Sequence, residues 1–251
     1  MINKYFLFLI LLFSIIFNTN IAFSEKWDVT VEGYLSGFKV GKSNAKLVLN
    51  NSSYELLVRS STAGLTKILY PWKQEIIISG RISNNNIFPA LYIINDLRED
   101  NKSGHMNIIY ENNYPVIKSA LPKAENDTRR EKVSKKLLFN TLDPVNSIIS
   151  FGVISGFSNS CDHEIPVFDG RRRFNLKYTL IEKKNDTIKC KLTIIRLSGY
   201  SKKELKKHPK GGIILFQKLN NKTNFYFPSE VRIPLTIGSF FVKLNTNLIL
   251  Q

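Results

Sequence analysis

The 251-residue sequence predicts an all-β fold: a single antiparallel, strongly curved sheet or incomplete barrel with one or two short helices. Three observations lead there. Apolar and polar residues alternate with a period of two through much of the chain, as in strands with one dry face. Turn-forming residues recur about every 8–12 residues, as in a meander. No helical pattern regularly separates the strands, which disfavours a parallel α/β fold.

Residues 1–24 read as a secretory signal peptide. Lys4 supplies the positive start, Tyr5 to Phe17 is almost wholly apolar, and Ala22-Phe23-Ser24 offers small residues for cleavage before Glu25. The apolar run is about 13 residues, short of the ~20 that span a bilayer. No Cys follows the cleavage point, which argues against a lipid anchor. The expected product is one exported, periplasmic β-rich domain over 25–251, with no second long apolar run to make a multi-span protein.

The strands follow in order. Trp27, Val29 and Val31 alternate with polar neighbours, and further candidates cover 38–49, 52–61, 74–82, 88–99, 105–110 and 114–118. Later ones are Phe174 to Leu180, Ile188 to Ile194, 213–219, Val231 to Ile237 and 239–247. Between them stand Ser36-Gly37, Asn50-Asn51, Asn84-Asn85-Asn86, Asn112-Asn113, Asn185-Asp186 and Asn220-Asn221, residues that tolerate left-handed backbone. Asp143-Pro144 reads as an N-cap with proline in the first turn, opening a helix through about Phe151. A shorter turn is expected at Leu65–Tyr70, before Pro71. Residues 121–136 form a polar, charged connection inside one domain.

Charge and cysteines narrow the function. The chain carries 36 Lys+Arg against 20 Asp+Glu, a formal +16, with 43% apolar residues and two Cys. That excludes a disordered tail and a disulfide-built mini-protein. A basic chain usually suggests nucleic acid. Export argues against that partner and for anionic envelope surfaces. The 29 Ile and 25 Asn, beside many Lys, attribute part of the charge to AT-rich codons. In an oxidising compartment Cys161 and Cys190 are expected to pair, a loop worth roughly 3 kcal/mol in the chain-entropy model. Cys190 falls on the apolar face of its strand, so the bridge points inward.

Chemistry-bearing groups are few. There is no G-x-S-x-G motif, and no acid–base pair is identifiable, so no enzyme is expected. Cys161-Asp162-His163-Glu164 is the densest set of possible ligands, but neighbours on an extended chain point to opposite faces, so no metal or cofactor is expected. Val167-Phe168-Asp169-Gly170-Arg171-Arg172-Arg173 reads as a hairpin turn. One of Arg171 and Arg172 is expected to point inward, with Asp169 or Asp143 as partner, giving an anion site or a structural salt bridge. Two lysine-rich loops follow, 129–136 and 202–210, of which Lys202, Lys203, Lys206 and Lys207 form a candidate docking surface. An outer-membrane barrel is disfavoured by short strands and the lack of aromatic girdles.

These residues resemble, in order, the domain of unknown function 3108 family of exported bacterial proteins. The resemblance runs through Gly33 to Gly41, Thr62-Ala63-Gly64-Leu65, Tyr70-Pro71-Trp72, Ser79 to Ile82 and Pro89 to Tyr92. It continues through Thr141-Leu142-Asp143-Pro144, Cys161, Val167 to Phe174, Cys190, Gly199-Tyr200 and Phe227 to Ile233. It implies an exported β-rich protein and assigns no reaction. This chain departs from the family in having Asn146-Ser147 where an alanine often follows the Asp-Pro turn.

The leading expectation is a non-enzymatic periplasmic protein that binds a hydrophobic or amphipathic envelope component in a cavity under the curved sheet. Phe174, Leu176, Tyr178, Leu192 and Ile233 would line that cavity or fill the core, with the 143–151 helix on the concave side. The alternative is a structural or assembly factor docking on an envelope complex through the basic loops. Lipid, envelope polysaccharide or an envelope protein are the expected partners.

Overall fold

The computed structural model describes residues 24–97, 103–123, 126–207, 210–219, 224–235, 238–244 and 249–250. The expected signal peptide, apart from Ser24, lies outside these residues, as do His208 and the Asn220-Asn221 turn. Seven strands come first: β1 (Ser24–Leu35), β2 (Phe38–Asn50), β3 (Ser53–Thr62), β4 (Lys73–Ser83), β5 (Asn86–Asp96), β6 (Gly104–Glu111) and β7 (Tyr114–Leu121). A short helix α1 (Thr66–Leu69) sits between β3 and β4. A 3-10 turn (Lys135–Leu138) and helix α2 (Pro144–Ser158) occupy the middle of the chain. Then come β8 (Glu164–Phe168), β9 (Arg173–Lys184), β10 (Thr187–Ser198), α3 (Lys202–Lys207), β11 (Gly211–Lys218), β12 (Tyr226–Pro234), β13 (Ser239–Leu244) and β14 (Ile249–Leu250).

Thirteen strands form one antiparallel sheet in the order β7-β6-β5-β4-β3-β2-β1-β13-β12-β11-β10-β9-β8, and β14 adds to β1. Every neighbouring pair on that path is consecutive in sequence except β1 with β13. The sheet nearly closes into a barrel, with its seam between β7 and β8. The segment before α2 bridges that seam. Asn140 N donates to Asn113 O (2.9 Å) on the β6–β7 turn. Two residues on, Leu142 N donates to Pro166 O (2.9 Å) and Leu142 O accepts from Phe168 N (2.7 Å) on β8.

Helix α2 then crosses the interior and touches β5, β8 and β12. Ile149 and Val153 face one core, with Trp27, Leu47, Tyr54, Ile78 and Ile108. Phe151 faces the other, stacked on Phe216 at 3.7 Å and packed on Tyr178 at 4.5 Å between ring centroids. The Cys161–Cys190 disulfide lies in this second core, both residues fully buried. Tyr178 and Leu192 belong to it, with Phe174 and Leu176 against it, while Ile233 is half-buried on β12. Four of the expected cavity residues therefore pack in or against a core around the helix, and Ile233 stands outside it.

Three local expectations are corrected. The helix runs seven residues past Phe151, because Gly152 and Gly156 serve close approach rather than termination. A Cβ on Gly156 would lie 1.6 Å from Asn224 O, and one on Gly152 2.5 Å from Tyr226 O. The helix ends instead at Asn159 in the left-handed region (φ 53°). The second lysine-rich loop contains helix α3, opened by a capping box in which Ser201 Oγ and Glu204 exchange bonds of 2.9 and 3.3 Å. Strand β8, the first arm of the expected hairpin, has no strand range in the sequence reading, being only five residues long with a proline inside.

Candidate functional site

The seam concentrates the polar chemistry of the molecule. Asp143 caps α2, accepting from Val145 N (3.0 Å) and Asn146 N (2.9 Å). Its second oxygen accepts from Tyr110 Oη (2.8 Å) and Asn146 Nδ2 (2.5 Å), and its own N–H donates to Tyr110 Oη (2.7 Å). Asn146 Oδ1 in turn accepts from Tyr54 Oη (2.6 Å). Asp143 and Asn146 are fully buried. Burial pushes the Asp143 carboxyl above its ordinary range, and the donors from Asn146, Tyr110 and Val145 pull it back. Burial, reinforced by the Asp143 charge, pushes the Tyr54 and Tyr110 phenols well up. This network ties β3, β6 and α2 together. Of the two expected partners for the arginines, Asp143 is not the one that serves, since its hydrogen bonds are to tyrosine, asparagine and backbone groups.

Asp169 does meet the arginines. It accepts from Arg171 N (3.0 Å) and Arg172 N (2.7 Å), and pairs with Arg172 Nε at 2.7 Å. Burial works against the Arg172 charge, but Asp169, with Tyr200 and Glu204, outweighs it and raises the guanidinium above its ordinary value. The buried arginine of the run is Arg173, 7% exposed, donating to Leu137 O (2.8 Å), Phe174 O and Asn175 Oδ1. Alternation with the apolar Phe174, Leu176 and Tyr178 would turn it to solvent. The 3-10 turn covers it and supplies the carbonyl.

Charges from three distant segments converge beside the hairpin. Arg130 binds Asp127 and grips Glu204 through Nε (2.9 Å) and Nη2 (2.5 Å), and Arg172 Nη1 approaches Glu204 at 3.6 Å. Arg129 pairs with Asp127 at 2.7 Å. The bond from Arg130 holds the Glu204 carboxyl well below the usual carboxylate range. Arg171 is held less closely by carboxylates than Arg130 or Arg172. Its Nη2 donates to Pro122 O, and its nearest carboxylate, Asp127, is 3.9 Å away. Partial burial, then repulsion from Arg130, lowers its pKa.

Arg171 lines a pocket of about 800 Å³ along the β7 side of the seam. The apolar wall is Ile117, Ala120, Leu121, Val133, Leu138 and Phe168. Around it stand Lys118, Lys123, Arg130, Lys132 and Arg171, with His105 and the acids Asp127 and Glu131. The β8–β9 turn approaches so closely that a Cβ on Gly170 would lie 2.6 Å from the Met106 methyl carbon. A second pocket, about 620 Å³, follows the seam at its other end and is lined by Arg81, Phe88, Tyr110, Asn140 and Glu164 among others. Sequence reasoning missed Lys118, Lys123 and His105, whose proximity to Arg171 arises only from the near-closure of the sheet.

The remaining candidates diverge. Cys161 is in the disulfide, Asp162 accepts from Leu180 N (2.9 Å) and Ser160, His163 bonds Ser158 and Ser160, and Glu164 bonds Asn175. Among the described residues no three of His, Cys, Asp and Glu come together as metal ligands. Lys202, Lys203 and Lys206 are exposed on α3, and Lys207 ends that helix. Among the described residues no helix is long and apolar enough to cross a membrane.

A near-closed antiparallel barrel threaded by a helix, with charge gathered at its seam, defines the class. The chain belongs to the family "Protein of unknown function (DUF3108)", whose model matches residues 26–245. Among solved structures it is similar to a DUF1329 family protein from Desulfovibrio piger ATCC 29098, at 11% identity and a TM-score of 0.23, covering 92% of this chain and 87% of that one. No curated protein matches the chain.

Proposed function

We propose that this is a non-enzymatic exported protein of the cell envelope that binds an anionic amphipath in the seam pocket. The observation that carries the reading is the pairing of an apolar wall with Arg171, a partly desolvated cation whose nearest carboxylate is 3.9 Å away. An acyl chain would bury apolar surface against Ile117, Leu121 and Phe168, at about 25 cal/mol per Å². A phosphate or carboxylate head would supply the charge that Arg171 and its basic neighbours attract. Export is supported by the leader-like residues 1–24 and by the Cys161–Cys190 bridge, which suits an oxidising compartment.

Two measurements test it. Lipid extraction and mass spectrometry of protein purified from its own envelope should recover an anionic lipid. Titration with a fluorescent fatty acid should give saturable binding that Arg171→Glu weakens about tenfold or more, roughly 1.4 kcal/mol. No recovered lipid together with no saturable binding overturns the proposal, as does binding indifferent to Arg171→Glu.

A second reading draws on α3. Glu204 turns toward Arg130, leaving Lys202, Lys203 and Lys206 exposed together for docking on an anionic envelope complex. Reversing those charges, with Lys207, should weaken salt-sensitive envelope association. Unchanged association removes this reading.

A further inference from the structure

The turns at the two ends of the barrel have opposite character. At one end stand the β2–β3, β4–β5, β6–β7 and β9–β10 turns, built from Asn50-Asn51, Asn84-Asn85, Asn112-Asn113 and Asn185-Asp186. Asn84, Asn85, Asn112, Asn113 and Asn185 all adopt positive φ, so asparagine there answers a backbone requirement. At the other end, the β1–β2 turn needs only Ser36 and Gly37 for the same purpose. Yet Phe38 follows at 75% exposure, and the β3–β4 loop presents Leu65 at 75%, Ile68 at 78% and Leu69 at 82%. No other large apolar residue among those described exceeds the 57% of Tyr70, in the same loop. Turn chemistry does not demand these side chains, and core packing does not use them.

The loop carrying them is firmly seated. Thr62 N donates to Trp72 O (3.1 Å) and Trp72 N to Thr62 Oγ1 (3.2 Å), closing its base. Ala63 N and Thr66 Oγ1 both donate to Val40 O, at 3.0 and 2.9 Å, which holds the loop against the start of β2 near Phe38. A Cβ on Gly64 would lie 2.7 Å from Lys39 O, so the approach needs glycine. The four apolar tips therefore form one fixed, projecting cluster.

Charge identifies the occupant. Residues 33–45 and 60–74 contain Lys39, Lys42, Lys67 and Lys73 and no acid. Lys39 pairs with Glu32 on β1, and Glu75 with Arg59 behind the loop, whereas Lys42, Lys67 and Lys73 are exposed. Aliphatic and aromatic tips ringed by lysines match a membrane interface, where apolar groups enter the acyl boundary and ammonium groups meet lipid phosphates. We infer that this end of the barrel docks on an anionic lipid bilayer through Phe38, Leu65, Ile68 and Leu69. The inference stands apart from the seam pocket, since docking needs no ligand there.

The test is cosedimentation of the exported chain with vesicles of phosphatidylglycerol and phosphatidylcholine, beside vesicles of phosphatidylcholine alone. Trp72 at the loop base should shift its emission to the blue on binding. Trp27, 3% exposed in the core, should stay silent. Binding should require phosphatidylglycerol and weaken with salt. It should fall at least tenfold in Ile68→Asp/Leu69→Asp, and likewise in a separate Phe38→Asp variant, with thermal melting little changed because these side chains are three-quarters or more exposed. Failure of the parent chain to bind anionic vesicles overturns the inference. So does undiminished binding by both variants, or a stable dimer of the parent chain that Leu69→Asp dissociates, which would make the cluster a self-association surface.

Discussion

Replacing Asp143 with alanine tests the buried network at the seam. The cap on α2 is lost, at about 1 kcal/mol. Tyr110 Oη and Asn146 Nδ2 lose their shared acceptor at 2.8 and 2.5 Å, and only Leu91 O, 3.5 Å from Asn146 Nδ2, stands near as a substitute. Each buried donor left without an acceptor costs about 1–3 kcal/mol. Removing a buried carboxylate offsets part of this. The expected net loss is about 3–5 kcal/mol, read from urea unfolding by circular dichroism. Asp143→Asn keeps the capping oxygen but sets an amide N–H against those donors, so an intermediate loss of about 1–3 kcal/mol is expected. The pH dependence has a fixed sign. The folded carboxyl titrates above its unfolded value near 3.8, so its contribution is complete below that value and fades as pH rises through the folded one. The stability difference between parent and Asp143→Ala should therefore be larger near about pH 4 than near about pH 7. A loss under about 1 kcal/mol, or a difference growing with pH, would refute the account.

Three further perturbations probe the interior and the seam. Gly156→Ala should cost about 3 kcal/mol or more by chemical denaturation, because its Cβ would meet backbone 1.6 Å away, whereas Gly37→Ala, with open space at φ +89°, should cost only about 1 kcal/mol. Replacing Cys161 and Cys190 by alanine should lower stability by about 3–4 kcal/mol, and reductant should destabilise the parent chain alone. Alkylation of the unfolded, non-reduced chain should label no cysteine, matching the absence of free thiols. Glu204→Ala strips Arg130 of two bonds on a partly exposed site, so stability should fall by only about 1 kcal/mol and less at high salt.

The strands were legible because period-two alternation records which face is dry. Trp27, Val29, Ile188, Cys190 and Leu192 all point into the core as that pattern requires. The Asp-Pro start of α2 was legible as local capping chemistry. Its burial was not, because the partners of Asp143 and Asn146 come from Tyr110 and Tyr54, 33 and 92 residues away. The role of Gly152 and Gly156 was not legible for a related reason, since a glycine that ends a helix and one that admits a neighbouring backbone look alike in one dimension. The Ser201–Glu204 capping box was available locally and passed over among lysines. The seam pocket had no local signature, because its walls derive from 105–138 and 168–171 and meet only when the sheet curls.

The sheet order also has kinetic content. Each ladder from β1 through β7, and each from β8 through β13, joins consecutive strands and can zip as a hairpin. On the thirteen-strand path only the joining of β1 to β13 requires segments some two hundred residues apart to meet, as in the register Val31 with Leu244, and β14 adds to the same edge of β1. Loop-closure entropy grows only logarithmically with length, so this single pairing falls late without being prohibitive. Until it forms, two open meanders expose unsatisfied strand edges at β1 and β13, the places at which nascent chains can misassemble.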